Sequence, residues 1–379
     1  MNNRILIVGG GIAGLTTAIA LQQKHLDFLV LEAVPEIKAV GAGITLAGNA
    51  MRALGKLGIS NDVKKHGHLI SAMIIQDEKG KVISVMDAEK LSRNHGLDNV
   101  AIHRGTLHEI LLRNIPAEKI RTNKKVTGFH DEADRIIISF EDGTQLEGSA
   151  VIVADGINSI IRQKLIPASL PRYSGYTCWR GVVENKWAIE KDAVEVWGPA
   201  GRFGYVPVGN NKLYWFACKN GPYRSEVMRQ FSIDDLADNF RTYVNPIASI
   251  IRSTRQEDLI WSDIVDLEPI SQFAFNSILL IGDAGHATTP NLGQGACMGI
   301  EDALMIAEEI SEQPNTIAKA FRSFEQKRLP RTTFIVNTSY RLGKVAQVEN
   351  PLLARIRNSL FRMMPEWVND KQLAKVLDI

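Results

Sequence analysis

A glycine-rich turn near the N-terminus constrains the fold of this 379-residue chain more than any other feature of its sequence. The turn, Gly9-x-Gly11-x-x-Gly14, follows a continuous apolar segment and precedes a segment with helical spacing, and a second apolar segment ends in Glu32. This order of strand, turn, helix, strand and acid is the dinucleotide-binding fingerprint, because the glycines let the backbone approach a pyrophosphate and the acid accepts hydrogen bonds from a ribose. The sequence therefore predicts a Rossmann-like unit. No second fingerprint occurs, so a nicotinamide cofactor would have to bind without a domain of its own.

The stretch from Ile278 to Asp302 carries the second signal for a bound ligand. Its first residues predict a buried strand that ends at Gly282 and Asp283, and a loop rich in Gly, Pro and Thr leads to an amphipathic helix predicted to run to about Ile310. A carboxylate at the end of a strand can accept hydrogen bonds from hydroxyl groups, and the N–H groups at the start of a helix favour an electron-rich or anionic atom. The stretch therefore suits a ligand with a polyol at one end and a polar ring edge at the other, and flavin has both.

Composition argues against several classes of function. The net charge is +2 with no long Lys/Arg run, which argues against nucleic acid as a partner. The three cysteines are far apart and outside any CxxC motif, which fits a reducing compartment. We find no signal segment, no apolar run of membrane-span length and no HExxH motif, so we expect a cytoplasmic protein without a metal site.

Three weaker features each leave two interpretations open. The glycine-rich loop at 41–43 is either an ordinary loop or backbone that passes close to a bound ring. Arg104 lies at the predicted start of a helix, where its charge opposes the helix dipole, so it either has an anionic partner such as a phosphate or forms an exposed ion pair. Asp155-Gly156 follows a predicted strand and is either a turn or part of a site.

Four motifs occur along the chain in a characteristic order: the glycine fingerprint with Glu32, then Arg104, then Asp155-Gly156, then Gly282-Asp283…Pro290…Gly293-Gln294-Gly295. In this order and approximate spacing they resemble the class A flavin-dependent aromatic hydroxylases, the single-component monooxygenases of the p-hydroxybenzoate hydroxylase type. The resemblance covers nearly the whole chain.

Two further segments, Tyr176-Thr-Cys-Trp-Arg-Gly-Val-Val and Gly-Gln-Gly-Ala-Cys, narrow the resemblance to one branch. They look like the branch with salicylate and 3-hydroxybenzoate hydroxylases, urate hydroxylase, zeaxanthin epoxidase and the tetracycline-inactivating monooxygenases. Many relatives have Asn where Cys297 stands, and urate hydroxylase-like members have Asp where Asn291 stands.

The resemblance implies tightly bound, non-covalent FAD, transient reduction by NADPH or NADH, and reaction with O2 to a flavin C4a-hydroperoxide. The terminal oxygen of that group would transfer to an electron-rich small molecule, either aromatic or of polyene or polycyclic type. The flavin would do the chemistry, so no catalytic side chain and no metal are assigned. The implied FAD-binding residues are Gly9, Gly11, Ile12, Ala13, Gly14, Glu32, Ala33, Gly43, Arg104, Asp155, Gly282, Asp283, Pro290, Gly293, Gly295, Ala296, Cys297 and Met298.

Particular roles follow from the same resemblance. The fingerprint glycines would pass the pyrophosphate, Glu32 would hold the adenosine ribose, and Asp155 would lie near the dinucleotide. Arg104 would contact the phosphate or ribityl region, and Asp283 the ribityl hydroxyls or a nearby phosphate. Residues 295–298 would offer N–H groups to the pyrimidine edge of the flavin, and Pro290 would lie on the flavin face that oxygen and substrate share.

Between about 174 and 264 the strict alternation of helix and strand is lost and aromatic residues concentrate, which predicts an inserted, mostly antiparallel sheet. We expect a flat apolar substrate on the side of this sheet that faces the flavin, with half or more of the aromatic residues being core. The two arginines of this set either hold an acidic or carbonyl group of the substrate or are solvated surface charges. The predicted substrate residues are Arg180, Arg202, Tyr205, Tyr214, Phe216, Pro290 and Asn291.

The predicted fold class is α/β (α+β overall), a Rossmann-like FAD-binding domain with an inserted, mostly antiparallel β-sheet substrate domain and C-terminal helices. The predicted ranges are 1–72, 98–173 and 265–340 for the FAD-binding domain, 73–97 and 174–264 for the substrate domain, and 341–379 for the C-terminal helical segment.

The C-terminal segment 350–367 is amphipathic. Such a helix could lie on a membrane surface, but docking on its own protein or on a second subunit is more frequent, so we expect docking and a monomer or homodimer. The apolar side predicted from the spacing consists of Leu352, Leu353, Ile356, Leu360, Phe361 and Met364.

Two other functions stay open at this point. A flavin-dependent dehydrogenase or halogenase would use the same fold, although the Trp-x-Trp-x-Ile-Pro segment of such halogenases is absent. A flavin-binding protein with little turnover is the third alternative, and the intact loop for the flavin edge argues against it.

Overall fold

The structure is a computed structural model that describes residues 4–36, 41–132, 135–313 and 316–377. Residues 1–3 of the predicted range 1–72 and residues 378–379 of the range 341–379 lie outside the described residues. The strands are β1 (Ile5–Val8), β2 (Phe28–Leu31), β3 (Gly43–Leu46), β4 (His68–Leu69), β5 (Ala72–Asp77), β6 (Val82–Asp87), β7 (Val100–His103), β8 (Ile120–Arg121), β9 (Val126–Asp131), β10 (Ile136–Phe140), β11 (Gln145–Gly148), β12 (Ala150–Val153), β13 (Pro171–Glu184), β14 (Asp192–Gly198), β15 (Gly201–Pro207), β16 (Lys212–Asn220), β17 (Ile260–Leu267), β18 (Ala274–Phe275) and β19 (Ile278–Leu280).

The helices connect and cover these strands. They are α1 (Ile12–Gln23), α2 (Gly48–Lys56), α3 (Ser60–His66), α4 (Ala88–His95), α5 (Arg104–Leu112), α6 (Ile160–Leu165), α7 (Glu226–Arg229), α8 (Ile233–Asn239), α9 (Ile247–Arg252), α10 (Asp283–His286), α11 (Gly295–Glu312), α12 (Ile317–Ala346), α13 (Pro351–Arg362) and α14 (Glu366–Leu377). No helix in the described part of the chain is long and apolar enough to cross a bilayer.

The first large sheet, which we call the parallel sheet, has the strand order β18-β19-β12-β1-β2-β8. Its neighbours run parallel except for β18, and Ile5 of β1 is in register with Phe28 on one side and Ala150 on the other. All residues of β1, β2, β12 and β19 are buried. Parallel strands covered on both faces have such continuous apolar sequences, which explains why the sequence pattern found them.

The second large sheet, which we call the antiparallel sheet, has the order β17-β13-β16-β15-β14-β5-β6 and is antiparallel except for the pair β14–β5. One face lies under α8 and α9 and is filled by large rings such as Trp179, Phe203 and Trp215, the last two stacked at 5.6 Å. The opposite face carries Tyr176 and Phe216. The predicted fold class is confirmed.

The small sheet β3-β7-β4 joins the two large sheets. Gly43 of β3 lies against the ring of Tyr214 on β16, since a Cβ at Gly43 would lie 2.4 Å from that ring. Ala101 of β7 packs with Val206 and Val208, which come from β15 and the residue after it. A fourth sheet, β11-β10-β9, is antiparallel.

The C-terminal helices dock in an unexpected way. The buried residues of α13 include Arg357 and Asn358, and Phe361 packs edge-on against Trp197 at 5.5 Å. The apolar side does not dock on this chain at Leu352, Leu353, Ile356 and Leu360, all of which are exposed, and docking of these residues on a second subunit stays a prediction. Docking relies instead on the guanidinium of Arg357, which donates to the carbonyl oxygens of Val345 and Ala346 at the end of α12.

Replacing Arg357 with Leu tests this arrangement. The substitution leaves two carbonyl groups at the end of α12 without their donor, so we expect the free energy of unfolding to fall by about 1–3 kcal/mol in urea denaturation. Leu360→Gln is the matched control on the same helix, and its 62 % exposed side chain should change stability by less than about 0.5 kcal/mol. Equal effects of the two substitutions would contradict docking through Arg357.

Candidate functional site

A cleft lies along the carboxyl edge of the parallel sheet. Gly9 follows β1, Glu32 follows β2, Asp155 comes two residues after β12, and Asp283 comes three residues after β19. Because parallel strands end at the same edge, these four residues from distant parts of the chain lie along one line. Open α/β sheets bind their ligands at this edge.

The glycine turn is closed on its inner side and open on its outer side. Gly9 has φ +107°, and a Cβ there would lie 2.4 Å from the carbonyl oxygen of Ala154. A Cβ at Gly14 would lie 2.0 Å from the carbonyl oxygen of Gly9. At Gly11 a Cβ would meet no atom of the described residues within 4 Å. The open side therefore leaves room for a ligand next to the backbone.

Two helices begin at this cleft, and in the described structure no side chain caps either one. Gly11 precedes α1, which starts with Ile12 and Ala13, and Gln294 precedes α11. The first N–H groups of an α-helix have no partner within the helix and carry partial positive charge. Both helix starts can therefore donate to anionic or electron-rich ligand atoms.

Glu32 holds the glycine turn in place. Its Oε2 accepts a hydrogen bond of 2.6 Å from the N–H of Gly10, and its Oε1 accepts one of 3.0 Å from Val34. His108 of α5 bonds the Gly10 carbonyl through Nε2 at 2.6 Å. Ala33, which follows Glu32, is exposed. A carboxylate oxygen has further lone pairs, so the predicted contact of Glu32 with a ribose stays a prediction.

Arg104 and Asp283 lie near each other across the cleft. The side chain of Arg104 is exposed and packs on Gly41, where a Cβ would lie 3.2 Å from its Cδ. The carboxyl group of Asp283 is accessible from the cleft but is surrounded by protein on its other sides. These surroundings raise its pKa above 3.8, although the charges of His286 and Arg104 act in the opposite direction.

Asp155 has an unsatisfied oxygen. Its Oδ1 is buried and has no hydrogen-bond partner among the described residues. Burial raises the pKa of Asp155 to about 6, although hydrogen bonding to Ser159 and the charge of Arg162 act in the opposite direction. A buried oxygen without a partner is costly, so this carboxyl group is placed to receive a donor from a ligand.

Three small residues let α1, α11 and the loop after β19 approach closely. Gly282 has φ +54°, and a Cβ there or at Gly299 would lie 3.0 Å from the Cβ of Ala13. Larger side chains at these positions would push α11 away from the glycine turn. Gly299 was not among the predicted site residues, although its position one turn after Gly295 is visible in the sequence.

The loop before α11 turns sharply. Pro290 is exposed, and Gly293 has the left-handed φ of +62° that a glycine adopts without strain. The prediction that residues 295–298 all offer N–H groups to the flavin is wrong for Met298. Its N–H donates to the Gln294 carbonyl at 2.8 Å inside the helix. The N–H groups of Gly295, Ala296 and Cys297 precede that first helical bond.

Cys297 ties this helix to the small sheet β3-β7-β4. Its Sγ accepts from the N–H of Ala47 at 3.4 Å and lies 3.4 Å from the carbonyl oxygen of Gly293. The thiol is buried, and burial raises its pKa to about 12. Its role in the structure is therefore that of a neutral packing and hydrogen-bonding group.

A buried network fixes the loop from behind, and we call it the Asp302 network. The carboxylate of Asp302 accepts from the N–H of Gly282 at 2.9 Å, from His286 Nε2 at 2.6 Å and from Arg328 Nε at 2.6 Å. Arg328 also donates to Glu301 and to the Met298 carbonyl. Burial alone would raise the pKa of Asp302, but the charges of His286 and Arg328 lower it to about 2.

On the opposite wall of the cleft, Tyr176 and Arg202 of the antiparallel sheet meet Asn291 of the loop after β19. Asn291 Oδ1 accepts from Arg202 Nη2 at 2.8 Å and from the Tyr176 hydroxyl at 3.1 Å. The amide nitrogen of Asn291 donates to Thr289 Oγ1 and to the Ser339 carbonyl, each at 2.9 Å. The two hydrogen-bonding ends of Asn291 are thus both used, and its orientation is fixed.

Arg180, Tyr214 and Phe216 lie on the same face of the antiparallel sheet. Arg180 Nη1 donates to Ser262 Oγ at 2.7 Å, and the guanidinium also bonds to the Tyr214 hydroxyl. The rings of Tyr214 and Phe216 are 6.1 Å apart, and Phe216 packs over Gly204. Both arginines of the predicted substrate set are therefore held by the protein and are not solvated surface charges.

The prediction that Tyr205 contacts the substrate is wrong. It is in register with Trp215, and both belong to the apolar cluster under α8 and α9. Successive residues of a strand point to opposite faces, so Arg202 and Gly204 face the cleft side while Phe203 and Tyr205 face away from it.

Comparison with known proteins decides the family, since the FAD-binding domain model matches residues 2–339 of the chain. This chain belongs to that family. It is 36% identical over 361 residues, 95% of this chain and 94% of the relative, to the aurachin C monooxygenase/isomerase of Stigmatella aurantiaca. It is 32% identical over 370 residues, 95% of this chain and 94% of the relative, to the 2-heptyl-3-hydroxy-4(1H)-quinolone synthase of Pseudomonas aeruginosa.

A solved structure shows the same architecture. Klebsiella pneumoniae HpxO complexed with FAD and uric acid superposes with a TM-score of 0.91 at 26% identity, covering 99% of this chain and 96% of that one. The predicted resemblance to the class A flavin monooxygenases is therefore confirmed. The chain is an FAD-dependent, NAD(P)H-consuming and O2-consuming monooxygenase that acts on an aromatic or other electron-rich small molecule.

The residues of the cleft fit FAD. The open side of Gly11 gives backbone access, two uncapped helix starts offer donors, and Asp155 Oδ1 lacks a partner among the described residues. The described residues contain no group of three His, Cys, Asp or Glu side chains placed to hold a metal ion.

Several residues of the site were missed by the sequence analysis. Tyr176 and Arg180 are four residues apart in β13, and side chains an even number of residues apart lie on one face of a strand. The sequence therefore contained the signal that would have found Tyr176. Asp302 and Arg328 had no signal, because they are 26 positions apart on different helices and only the packing of α12 on α11 joins them.

Gly11→Ala tests the open side of the turn. The new Cβ would meet no described protein atom but would occupy ligand space, so we expect FAD affinity of the apoprotein to fall about tenfold or more in a fluorescence titration. The unfolding free energy of the apoprotein should change by less than about 0.5 kcal/mol. Gly55→Ala in α2 is the control and should leave FAD affinity unchanged. Unchanged affinity in Gly11→Ala would place the cofactor elsewhere.

Asp302→Asn tests the network behind the loop. Removing a buried charge that pairs with Arg328 should cost about 3–5 kcal/mol of unfolding free energy at neutral pH. The folded pKa of about 2 lies below the ordinary 3.8, so the contribution of the carboxylate is complete above about pH 4 and is lost as the pH falls through about 2. The difference between wild type and variant should shrink over that window.

The matched control for Asp302→Asn is Asp234→Asn. Asp234 has a side chain that is 87 % exposed, and its replacement should have little effect at any pH. A difference between wild type and Asp302→Asn that stays constant from neutral pH to pH 2 would contradict an ionised Asp302.

Proposed function

We propose that this monooxygenase hydroxylates a neutral, fused heteroaromatic ring of the 4-quinolone type that carries an apolar side chain. Two relatives at 36% and 32% identity are named for aurachin C and for a heptyl-substituted 3-hydroxy-4-quinolone. These names describe those proteins. Support within this chain comes from the charges and the walls of the cleft.

The observation that carries the proposal is the pairing of Arg202 with groups of the protein, above all with the carboxylate of Glu195. Each of its three nitrogens already donates to a protein acceptor: Nε to Gln347 at 2.8 Å, Nη1 to Glu195 at 3.1 Å and Nη2 to Asn291 at 2.8 Å. Glu195 neutralises its charge within an ion pair in which Arg202 is only 4 % exposed. A substrate carboxylate would have to compete with Glu195 for this charge, so the arrangement favours a neutral ring.

The walls around these polar groups are apolar. Tyr176, Cys178, Cys218 and Ile264 form a buried cluster against which Phe216 packs. Such a surface suits a flat fused ring, because the burial of aromatic area supplies most of the binding energy and a few fixed polar groups set the orientation. We propose that the Tyr176 hydroxyl and the side chain of Asn291 lie beside the ring carbonyl of the substrate.

Arg180 gives this face a positive potential. Despite burial, hydrogen bonding to Cys218 and the charges of Arg180 and Arg202 lower the pKa of Cys178 below its usual range. The same potential would stabilise negative charge that develops on a ring oxygen as the ring becomes nucleophilic. A neutral ring that gains charge during the reaction benefits more than one that is charged from the start.

The FAD side of the cleft has proposed roles as well. The start of α1 would hold the pyrophosphate and Glu32 the adenosine ribose, while Arg104 and Asp283 would contact the phosphate or ribityl region. The N–H groups at the start of α11 would donate to the pyrimidine edge of the flavin. When bound, FAD passes electrons from NAD(P)H to O2 and so supplies the oxidising power. Pro290 would lie on the flavin face that oxygen and substrate share and help to exclude water.

The overall reaction consumes one ring C–H, O2, NAD(P)H and a proton, and yields the ring C–OH, NAD(P)+ and water. We propose a cytoplasmic location, where NAD(P)H is available, and an enzyme that works as a monomer or homodimer. We also propose the division into an FAD-binding domain (1–72, 98–173, 265–340), a substrate domain (73–97, 174–264) and a C-terminal segment (341–379).

The test is aerobic turnover of the FAD-loaded enzyme with 2-heptyl-4-quinolone, urate and 3-hydroxybenzoate, each with NADH and NADPH. We expect nicotinamide oxidation matched by a hydroxylated product with the quinolone, and oxygen from isotopically labelled O2 in that product by mass spectrometry. Coupled turnover with urate or 3-hydroxybenzoate and none with the quinolone would overturn the proposed substrate class.

Glu195→Gln gives a sharper test of the ion pair between Arg202 and Glu195. The substitution keeps the acceptor oxygen but removes the neutralising charge, so Arg202 becomes a net cation. We expect the KM for the neutral quinolone to change less than about twofold, while inhibition by a quinoline carboxylate strengthens about tenfold through a charge-assisted bond. Glu184→Gln, exposed in β13, is the control and should change neither value. Weaker carboxylate inhibition in Glu195→Gln would count against the neutral-ring proposal.

A further inference from the structure

Helix α13 exposes apolar side chains to solvent. The apolar face of α13 consists of Leu352 (66 % exposed), Leu353 (55 %), Ile356 (49 %), Leu360 (62 %) and Met363 (78 %), the last directly after the helix. Clusters of large exposed apolar side chains on a folded protein mark sites of interaction. We call these five residues the α13 face.

The helix itself is firmly attached through its opposite side. Arg357 donates to the last carbonyl groups of α12, Phe361 packs on Trp197, and Asn350 caps the N-terminus by accepting from the N–H groups of residues 352 and 353. Arg362 bonds Asp77 of β5 in addition. The α13 face is therefore presented outward by a fixed scaffold, and its exposure does not result from a loosely docked helix.

The charge of this region points to an anionic partner. The helix 351–362 contains three arginines and no acidic residue, and Arg355 is exposed and borders the α13 face on a helical wheel. Residues 341–379 contain seven basic and four acidic residues, a net charge of +3, whereas the whole chain has +2. The C-terminal segment therefore has a net positive charge, and Arg355 is the basic side chain of α13 that borders the exposed apolar face.

The size of the face argues against a second copy of the chain as its occupant. A stable dimer interface takes about 20–30 residues from each partner and buries about 800 Å² on each. The α13 face offers five side chains along a single helix of 12 residues. An apolar face bordered by basic side chains is instead the pattern of a helix that lies in the surface of a bilayer.

We propose that α13 binds the enzyme to the surface of an anionic lipid membrane. The α13 face would enter the boundary between headgroups and acyl chains, and Arg355 would contact lipid phosphates. No spanning helix is needed for this mode of binding. It concerns the outer surface of the protein and stands apart from the chemistry of the cleft.

The membrane-facing helix is close in sequence to the substrate face. Gln347, directly after α12, donates to Asn220 Oδ1 and accepts from Arg202 Nε, and α13 begins four residues later. If the substrate carries an alkyl chain, as the proposed function states, it would partition into the bilayer next to the cleft. The consequence for substrate delivery rests on the proposed function, whereas membrane binding does not.

The experiment measures co-sedimentation of the FAD-loaded enzyme, without substrate, with vesicles of phosphatidylcholine alone or mixed equally with phosphatidylglycerol. We expect binding to the anionic vesicles that weakens with added salt. A triple variant, Leu353→Gln, Ile356→Gln and Leu360→Gln, should lose about tenfold or more in partitioning, and Arg355→Glu about fivefold. Leu170→Gln, at a side chain that is 61 % exposed far along the chain, is the matched control and should bind like wild type.

Two outcomes would overturn the proposal. The first is that the folded, FAD-loaded wild-type enzyme does not bind to the anionic vesicles. The second is a concentration-dependent dimer in analytical ultracentrifugation that the triple variant abolishes, which would assign the α13 face to a second copy. Turnover measured on dissolved substrates tests the proposed function separately, so its failure would leave the vesicle result unaffected.

Discussion

The ion pair between Asp302 and Arg328 is the interaction on which the cleft depends. It lies in the core between α11 and α12, and the same carboxylate holds the N–H of Gly282 and the ring of His286. The loop that follows β19 is therefore fixed before any ligand arrives. A buried charge that receives three donors is costly to break, and this cost keeps the start of α11 aimed at the cleft.

The parallel and the antiparallel sheet contribute different groups to the site. The carboxyl edge of the parallel sheet offers backbone N–H groups and carboxylates, which suit a dinucleotide, while the antiparallel sheet offers rings and a fixed polar cluster. Asn291 belongs to the loop after β19 yet bonds Arg202 and Tyr176 of the antiparallel sheet. This junction brings the proposed substrate face against the loop before α11, whose helix start is proposed to meet the flavin edge, as the transfer of an oxygen atom requires.

Sequence patterns predicted those features that arise from neighbouring residues. The glycine fingerprint and the buried parallel strands have local periods, and both were found. Tyr205 was assigned to the wrong face because aromatic composition was used in place of strand alternation, and Met298 was included because the first bond of a helix cannot be located from sequence alone. Four residues of the predicted apolar side of α13 share one exposed face, whereas Phe361 packs on the docked side, because which side of an amphipathic helix docks depends on the groups it meets. Arg357 finds free carbonyl groups at the end of α12, and those exist only in the folded chain.

The central claim is that the cleft brings FAD and a neutral ring together so that reduction depends on the substrate. Anaerobic stopped-flow reduction of the bound flavin by NADPH and NADH, with and without 2-heptyl-4-quinolone, tests it most directly. The account predicts bleaching of the flavin that the quinolone strongly accelerates and that anionic rings such as 3-hydroxybenzoate do not. Bleaching by an organic substrate without any nicotinamide, or a flavin that no donor reduces, would contradict it.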